Sequence, residues 1–567
     1  MTPALDWKPI DKSRSIKSGL VWIAMAMAAL FASAQASKIA APDLGRYRIA
    51  GIVVNAVTGE PVGRSAVSVL DEATSHTVET VFADGNGHFT LDRLPEAKYE
   101  LTASKRGFRT GFYDEHDDYS TAIVTGPNED TEHLTFRLQP NAVLRGVISG
   151  DGGDPVEGAR VMLFKLPHGI GRDFTRARGP ENSIQQVDTA TTDDRGAYEF
   201  GNLATGEYVL AVMAEPWYAV QSTPRPRSQN SNPDASNAAL DVAYPVTYFD
   251  STTEEPGATP ITLAPGAREE ADINLHAVPA LHLVVTAPQK QNGNIARPEL
   301  RQLIFGTQVA DESAGFLDAI QNGTTEFTGV APGHYELLQG DPPRMVDLDA
   351  TASEQIDATA GTPTVTVSGM LRSAEGETMP DGVTLFIYPM GGAPHMSPLV
   401  TNAMRGRFRF ENVPPGTWEM SGWNGENPLP ILSLSAYGTS HAGGIFTVSD
   451  RSLDLTATVA VRRTRIEGFT RKGGKSASGM LVVLVPKNPA AFDTLVRRDQ
   501  SDSDGSFALR DVAPGEYTII ALEDAWDLDR SGPAVLARYL PRGLDVTVRS
   551  TTGGILHLTQ PVEVQAR

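Results

Sequence analysis

The sequence predicts an all-β protein, a tandem array of about five β-sandwich domains behind an N-terminal export signal. Three observations carry that expectation: a five-fold repeat spaced about one sandwich apart, a composition rich in turn formers, and a basic-then-apolar N-terminus. At 567 residues the chain is too long for one core, since single cores stop growing at about 250–300 residues. Its 53 glycines and 39 prolines suit a chain that must reverse after every few residues of strand.

The N-terminus comes first. Lys8, Lys12, Arg14 and Lys17 precede the uncharged run Gly19–Phe31, and Ala34-Gln35-Ala36 follows. This is the three-part pattern of a signal peptide, residues 1–36, cut after Ala36. The apolar run falls short of the roughly 20 residues a helix needs to cross a bilayer, and no later segment is long and apolar enough. The mature chain is therefore expected without a transmembrane segment, in the periplasm, at the cell surface or outside the cell. The absence of cysteine removes disulfides, thiolate chemistry and cysteine zinc sites together. A net charge of −21 repels nucleic acid, which is excluded as a partner.

The repeat comes next. A glycine is followed two residues on by an aromatic, then by apolar residues two and five positions further, a second glycine, and a second aromatic. The copies are Gly87-Phe89-Leu91-Leu94-Ala97-Tyr99, Gly196-Tyr198-Phe200-Leu203-Gly206-Tyr208, Gly323-Thr325-Phe327-Val330-Gly333-Tyr335, Gly406-Phe408-Phe410-Val413-Gly416-Trp418 and Gly505-Phe507-Leu509-Val512-Gly515-Tyr517. Ala97 and Thr325 are the two departures. Residues two apart, such as Phe507 and Leu509, share one strand face and point to the core. Pro332-Gly333, Pro415-Gly416 and Pro514-Gly515 are then expected to turn, with the glycine free to take a positive φ.

A second shared piece lies upstream. Ile49-Ala50-Gly51-Ile52-Val53, Gly59-Glu60-Pro61-Val62 and Ala66-Val67-Ser68-Val69 read as two strands joined by a turn. Arg145-Gly146-Val147 to Val161 repeats it, Ser368-Gly369-Met370 and Glu467-Gly468-Phe469 keep the opening, and the stretch from Leu281 has lost the glycine. Helix content should be small. Residues 222–237 read as a solvated loop.

Together, Gly-x-Pro-Val-x-x-Ala-x-Val, Asp-x-x-Gly-x-Phe/Tyr and Pro-Gly-x-Tyr resemble the carboxypeptidase regulatory-like domain. The resemblance implies a prealbumin-like, immunoglobulin-like sandwich of about seven strands and a general link to carbohydrate binding. The expected units are 45–140, 141–279 with a long loop, a divergent 280–363, 364–463 and 464–567.

The chemistry-bearing clusters read mostly as structure. His76-Thr77-Val78-Glu79 has a zinc-like spacing but no third ligand or cavity. No metal, nucleophile-elbow or phosphate-loop motif occurs, so no catalytic residue, metal or cofactor is assigned and an enzyme is not expected. Asp84-Gly85-Asn86-Gly87, Asp193-Asp194-Arg195-Gly196 and Asp502-Ser503-Asp504-Gly505 resemble calcium loops, but Asp, Asn and Gly are what a tight turn requires. The acidic run Tyr113–Tyr119 is expected to be a solvated loop. Trp217, Tyr218, Trp423 and Trp526 are the candidate ligand residues, a sugar-stacking surface weighed against ordinary core roles. The expected function is non-enzymatic binding at or beyond the cell envelope, with a polysaccharide or another envelope protein as partner. A structural spacer, an adhesion stalk or an accessory subunit of an envelope enzyme is the alternative.

Overall fold

The computed structural model describes residues 45–567 apart from 117–118, 128, 168–183, 220–237, 287–297, 312–317, 322–323, 341–342, 375, 377, 391–397, 426, 462, 529–530 and 550–553. The leader 1–36 and the loop 222–237 lie outside the described residues.

Five β-sandwiches follow one another, and all five are wired alike. Each opens with a strand that pairs antiparallel with the repeat strand and parallel with a closing strand. In the first, Tyr47–Asn55 lies between His88–Leu94 and Leu134–Leu138. Ala142–Ser149, Leu281–Thr286, Val365–Ser373 and Thr464–Lys472 take the same place in the others. The third, the most divergent in sequence, keeps this wiring. In the fifth, Val562–Gln565 pairs with both Thr464–Lys472 and Gly515–Leu522, so one nine-stranded sheet wraps the core.

The repeat is the inner face of each sandwich. Phe89, Leu91, Leu94 and Tyr99 are buried together, and so are Phe507, Leu509, Val512 and Tyr517. A strict two-residue alternation would put the third apolar residue on the wrong face. The chain corrects this with a bulge: pairing slips by one residue between Leu91 and Leu94, and again at the matching place in each later sandwich. The residue before the last apolar one takes a left-handed backbone in all five, at Arg93, Asn202, Gly329, Asn412 and Asp511. The extra residue at the bulge returns the apolar side chain to the core. The positive φ expected at the Pro-Gly glycine is found at Gly416, at 153°, and not at Gly333 or Gly515; the residue left-handed in every copy is the one at the bulge.

The second glycine has a different task. A Cβ on Gly515 would lie 3.1 Å from the Tyr517 ring, which folds back over it. The ring folds back because its polar end is tied down. Tyr99, Tyr208, Tyr335 and Tyr517 each donate their hydroxyl to the carbonyl four residues earlier, at 3.2, 2.9, 2.9 and 2.8 Å. In the fourth sandwich the Trp418 indole N–H donates to Pro414 O at 3.1 Å. The position therefore needs an aromatic with a donor, which excludes phenylalanine.

The first-strand glycine and the first repeat aromatic are one device. Gly51 pairs with Phe89, Gly146 with Tyr198, Gly369 with Phe408 and Gly468 with Phe507. The ring lies over the glycine at Gly146, Gly369 and Gly468, and at Gly51, Gly146 and Gly369 the atom nearest a Cβ is a backbone carbonyl of the closing segment, that of Leu134, Ala271 or Leu455. A Cβ on Gly468 would lie 2.8 Å from Phe507 Cζ. In the third sandwich the paired residues are Val285 and Thr325, so the lost first-strand glycine and the lost repeat aromatic are one compensated exchange.

Candidate functional site

The four ligand candidates do not converge. Trp217 is 87% exposed and meets the Tyr218 ring edge-on, at 5.6 Å between centroids and 86° between planes. Burial pushes the nearby Tyr244 hydroxyl up to about 12, and Tyr218 beside it adds to the rise. Trp423 lies on strand Gly416–Asn424, paired with Thr384 and Pro428, and is partly buried. Trp526 packs against the second core of the fifth sandwich and stacks flat on His116 of the first, at 4.4 Å and 8°.

That stack belongs to a junction between the first and last sandwiches. The described part of the acidic run joins it: Asp114 is exposed, as expected of a solvated loop, but its backbone and the His116 ring also meet the last sandwich. Gln500 Nε2 donates to Asp114 O at 2.6 Å and to Thr121 Oγ1 at 2.7 Å, while Gln500 Oε1 lies 3.2 Å from His116 Nδ1. Sequence reasoning missed Gln500 and Thr121, because nothing local marks a polar residue as an inter-domain contact. Asp117 and Asp118 lie outside the described residues.

The same segment walls a cleft of about 440 Å³ on the first sandwich, lined by Arg109, Phe112, Tyr113, His116, Arg137 and Gln139 among others. Arg109 pairs with Glu115 at 3.1 Å, and the Glu115 carboxylate accepts from Phe112 N at 2.8 Å. Clefts of this size hold small ligands, and aromatic faces beside planar polar groups suit hydroxyl-rich ones. Only the density of charge in Tyr113–Tyr119 pointed here from sequence.

The aspartate loops behave as turns in the first two sandwiches. Asp84 Oδ1 accepts from Asn86 N and His88 N, at 2.8 and 2.9 Å. Asp193 Oδ1 accepts from Arg195 N and Ala197 N, at 3.0 and 2.9 Å, and these bonds hold its carboxyl below the usual range. Among the described residues no three His, Asp or Glu side chains gather to hold a metal. His76 sits in the turn before strand Thr77–Phe82, which carries Glu79 at the rim of a polar groove.

Among proteins of known sequence, Colossin-A of Dictyostelium discoideum is 22% identical over 521 residues, 82% of this chain and 4% of its own. Serine-aspartate repeat-containing protein F of Staphylococcus epidermidis is 23% identical over 349 residues, 57% of this chain and 19% of its own. The chain thus spans less than a fifth of either relative. Solved structures include a streptococcal ancillary pilin, 11% identical, covering 72% of this chain and 99% of that one with a TM-score of 0.16. The minor pilin of Streptococcus agalactiae is 13% identical, covering 41% and 97% with a TM-score of 0.20. The model of the carboxypeptidase regulatory-like domain matches residues 48–139, the span of the first sandwich with its glycine–aromatic pair, bulge and tied-back tyrosine. Residues 48–139 are a carboxypeptidase regulatory-like domain.

Proposed function

We propose that this protein is a non-catalytic adhesion or binding protein acting outside the cytoplasm, which presents aromatic side chains to a glycan. The observation that carries this reading is Trp217. An indole 87% exposed gains nothing from the core, and with Tyr218 standing edge-on beside it the pair offers an apolar face at the surface. Sugar rings stack on such faces through their C–H surfaces, and nearby polar groups take the hydroxyls.

The test is a glycan array and an insoluble-polysaccharide pull-down on residues 37–567, with Trp217→Ala alongside. Binding that is lost in the variant, at an unchanged melting temperature, supports the reading. Equal binding by both proteins moves the site elsewhere, and no binding by either removes the glycan. The cleft beside Phe112 and Tyr113 favours a second location for the same ligand class. Arg137→Ala separates the two, since Arg137 lines the cleft only.

A further inference from the structure

We infer that the first and fifth sandwiches are built to dock on each other within one chain, closing the array into a loop. In the fifth sandwich a turn is put to a new use. The backbone of Asp502–Gly505 repeats that of Asp84–Gly87 and Asp193–Gly196: in each, the glycine N–H donates to the aspartate carbonyl, at 2.8, 3.1 and 2.9 Å. In the first two sandwiches the aspartate side chain caps its own turn. In the fifth, Asp504 takes over the cap, accepting from Ser506 N at 2.9 Å. Asp502 gives up the backbone cap, keeps the Ser506 hydroxyl of its own turn at 3.2 Å, and faces the first sandwich. Its Oδ2 accepts from Lys98 Nζ at 2.6 Å and its Oδ1 from Ala122 N at 3.1 Å.

Burial tells the same story. Gln500 stands two residues before the turn aspartate, at the end of an edge strand, as Phe82 does in the first sandwich. Phe82 is 75% exposed and Gln500 is 1% exposed. The difference is the first sandwich lying over Gln500. Around it the polar groups are matched: Ser503 N donates to Ala122 O at 3.0 Å, and Val124 N to Ser503 Oγ at 2.9 Å. Glu72 receives Arg510 and lies 3.7 Å from Arg465. A fortuitous contact leaves buried donors and acceptors unpaired, and this one pairs them at residue after residue.

Tethering strengthens the contact. Two patches on one chain meet in an intramolecular step, so a patch pair too weak to hold separate molecules together can still close. The clamped segment Tyr113–His116 also walls the cleft, so closure sets the cleft's shape.

The test is small-angle X-ray scattering on the mature full chain, joined to hydrogen exchange of residues 121–124 and 500–503. Five sandwiches in line would reach roughly 170 Å. The closed loop predicts a maximum dimension well short of that. Lys98→Glu should lengthen the particle and speed exchange in both segments together, and adding Asp502→Lys should reverse both changes. Extended scattering from the unaltered chain overturns the inference. So does a Lys98→Glu variant with unchanged dimensions and exchange. Neither readout uses a ligand, so the result stands apart from the glycan reading.

Discussion

Replacing Gly468 by valine and Phe507 by threonine should cost less together than the two changes cost separately. In the fifth sandwich the Phe507 ring covers Gly468, and a Cβ there would come within 2.8 Å of Phe507 Cζ and 2.7 Å of Leu558 Cδ1. Both neighbours are side chains, so the valine can be accommodated by strain rather than by breaking the sheet. Overpacking of this kind costs about 1–3 kcal/mol. Removing the ring of Phe507, which is buried in the core, costs about 3–5 kcal/mol on the scale of Phe→Ala. In the double variant the valine enters the space the ring has left, as Val285 does opposite Thr325 in the third sandwich. The expected coupling is about 1–3 kcal/mol in favour of the double variant. Hydrogen exchange of strand Ser506–Val512, read by mass spectrometry, gives the local opening free energy for each protein. Costs that add within about 0.5 kcal/mol would refute the claim that glycine and aromatic are one unit.

Other expectations follow from single contacts. Tyr517→Phe removes a buried hydrogen bond to Ala513 O and should cost about 1–2 kcal/mol in denaturant unfolding; Trp418→Phe should remove the corresponding bond to Pro414 in the fourth sandwich. No loss at Tyr517 would mean that the ring alone holds the turn. Arg93 takes a left-handed backbone at the first bulge, so Arg93→Val should destabilise that sandwich by about 1–2 kcal/mol and Arg93→Gly should not, as judged from melting curves. The Asp499 carboxyl lies deep among protein atoms, and desolvation pushes it up to about 7. The native state therefore holds that proton more tightly than the unfolded chain, and this contribution, full below about pH 4, is lost as pH rises through 7. Asp499→Asn should raise the melting temperature at pH 8 and leave it unchanged at pH 4, because an asparagine oxygen still accepts from Ala508 N. A lower melting temperature at pH 8 would contradict the assignment.

The all-β class and the core face of the repeat were legible because strand alternation and turn chemistry are local. Phe89, Leu91 and Leu94 could be placed in the core from spacing alone. The reason for their two-then-three spacing could not, since a bulge is defined by the strand opposite. The ligand candidates fared differently. Trp217 and Tyr218 are neighbours in sequence and stay together, whereas Trp526 meets His116, about four hundred residues away in the chain, and no local pattern reports such a meeting. The acidic run was read as solvated because charge clusters usually face water; here His116 and the backbone of Asp114 also meet Gln500 of another sandwich.

By itself the sequence determined what strand periodicity, turn residues and composition encode: repeated β-sandwiches, the inward-facing aromatics, and the absence of any disulfide. Tertiary structure decided what depends on residues distant in the chain. It joined the glycine replaced by Val285 and the aromatic replaced by Thr325 into one exchange. It assigned the tyrosine hydroxyls to carbonyls across a turn, and it turned Asp502 from a cap into a contact with Lys98. Each of these rests on which strand or sandwich lies opposite, and that pairing is fixed only when the chain folds.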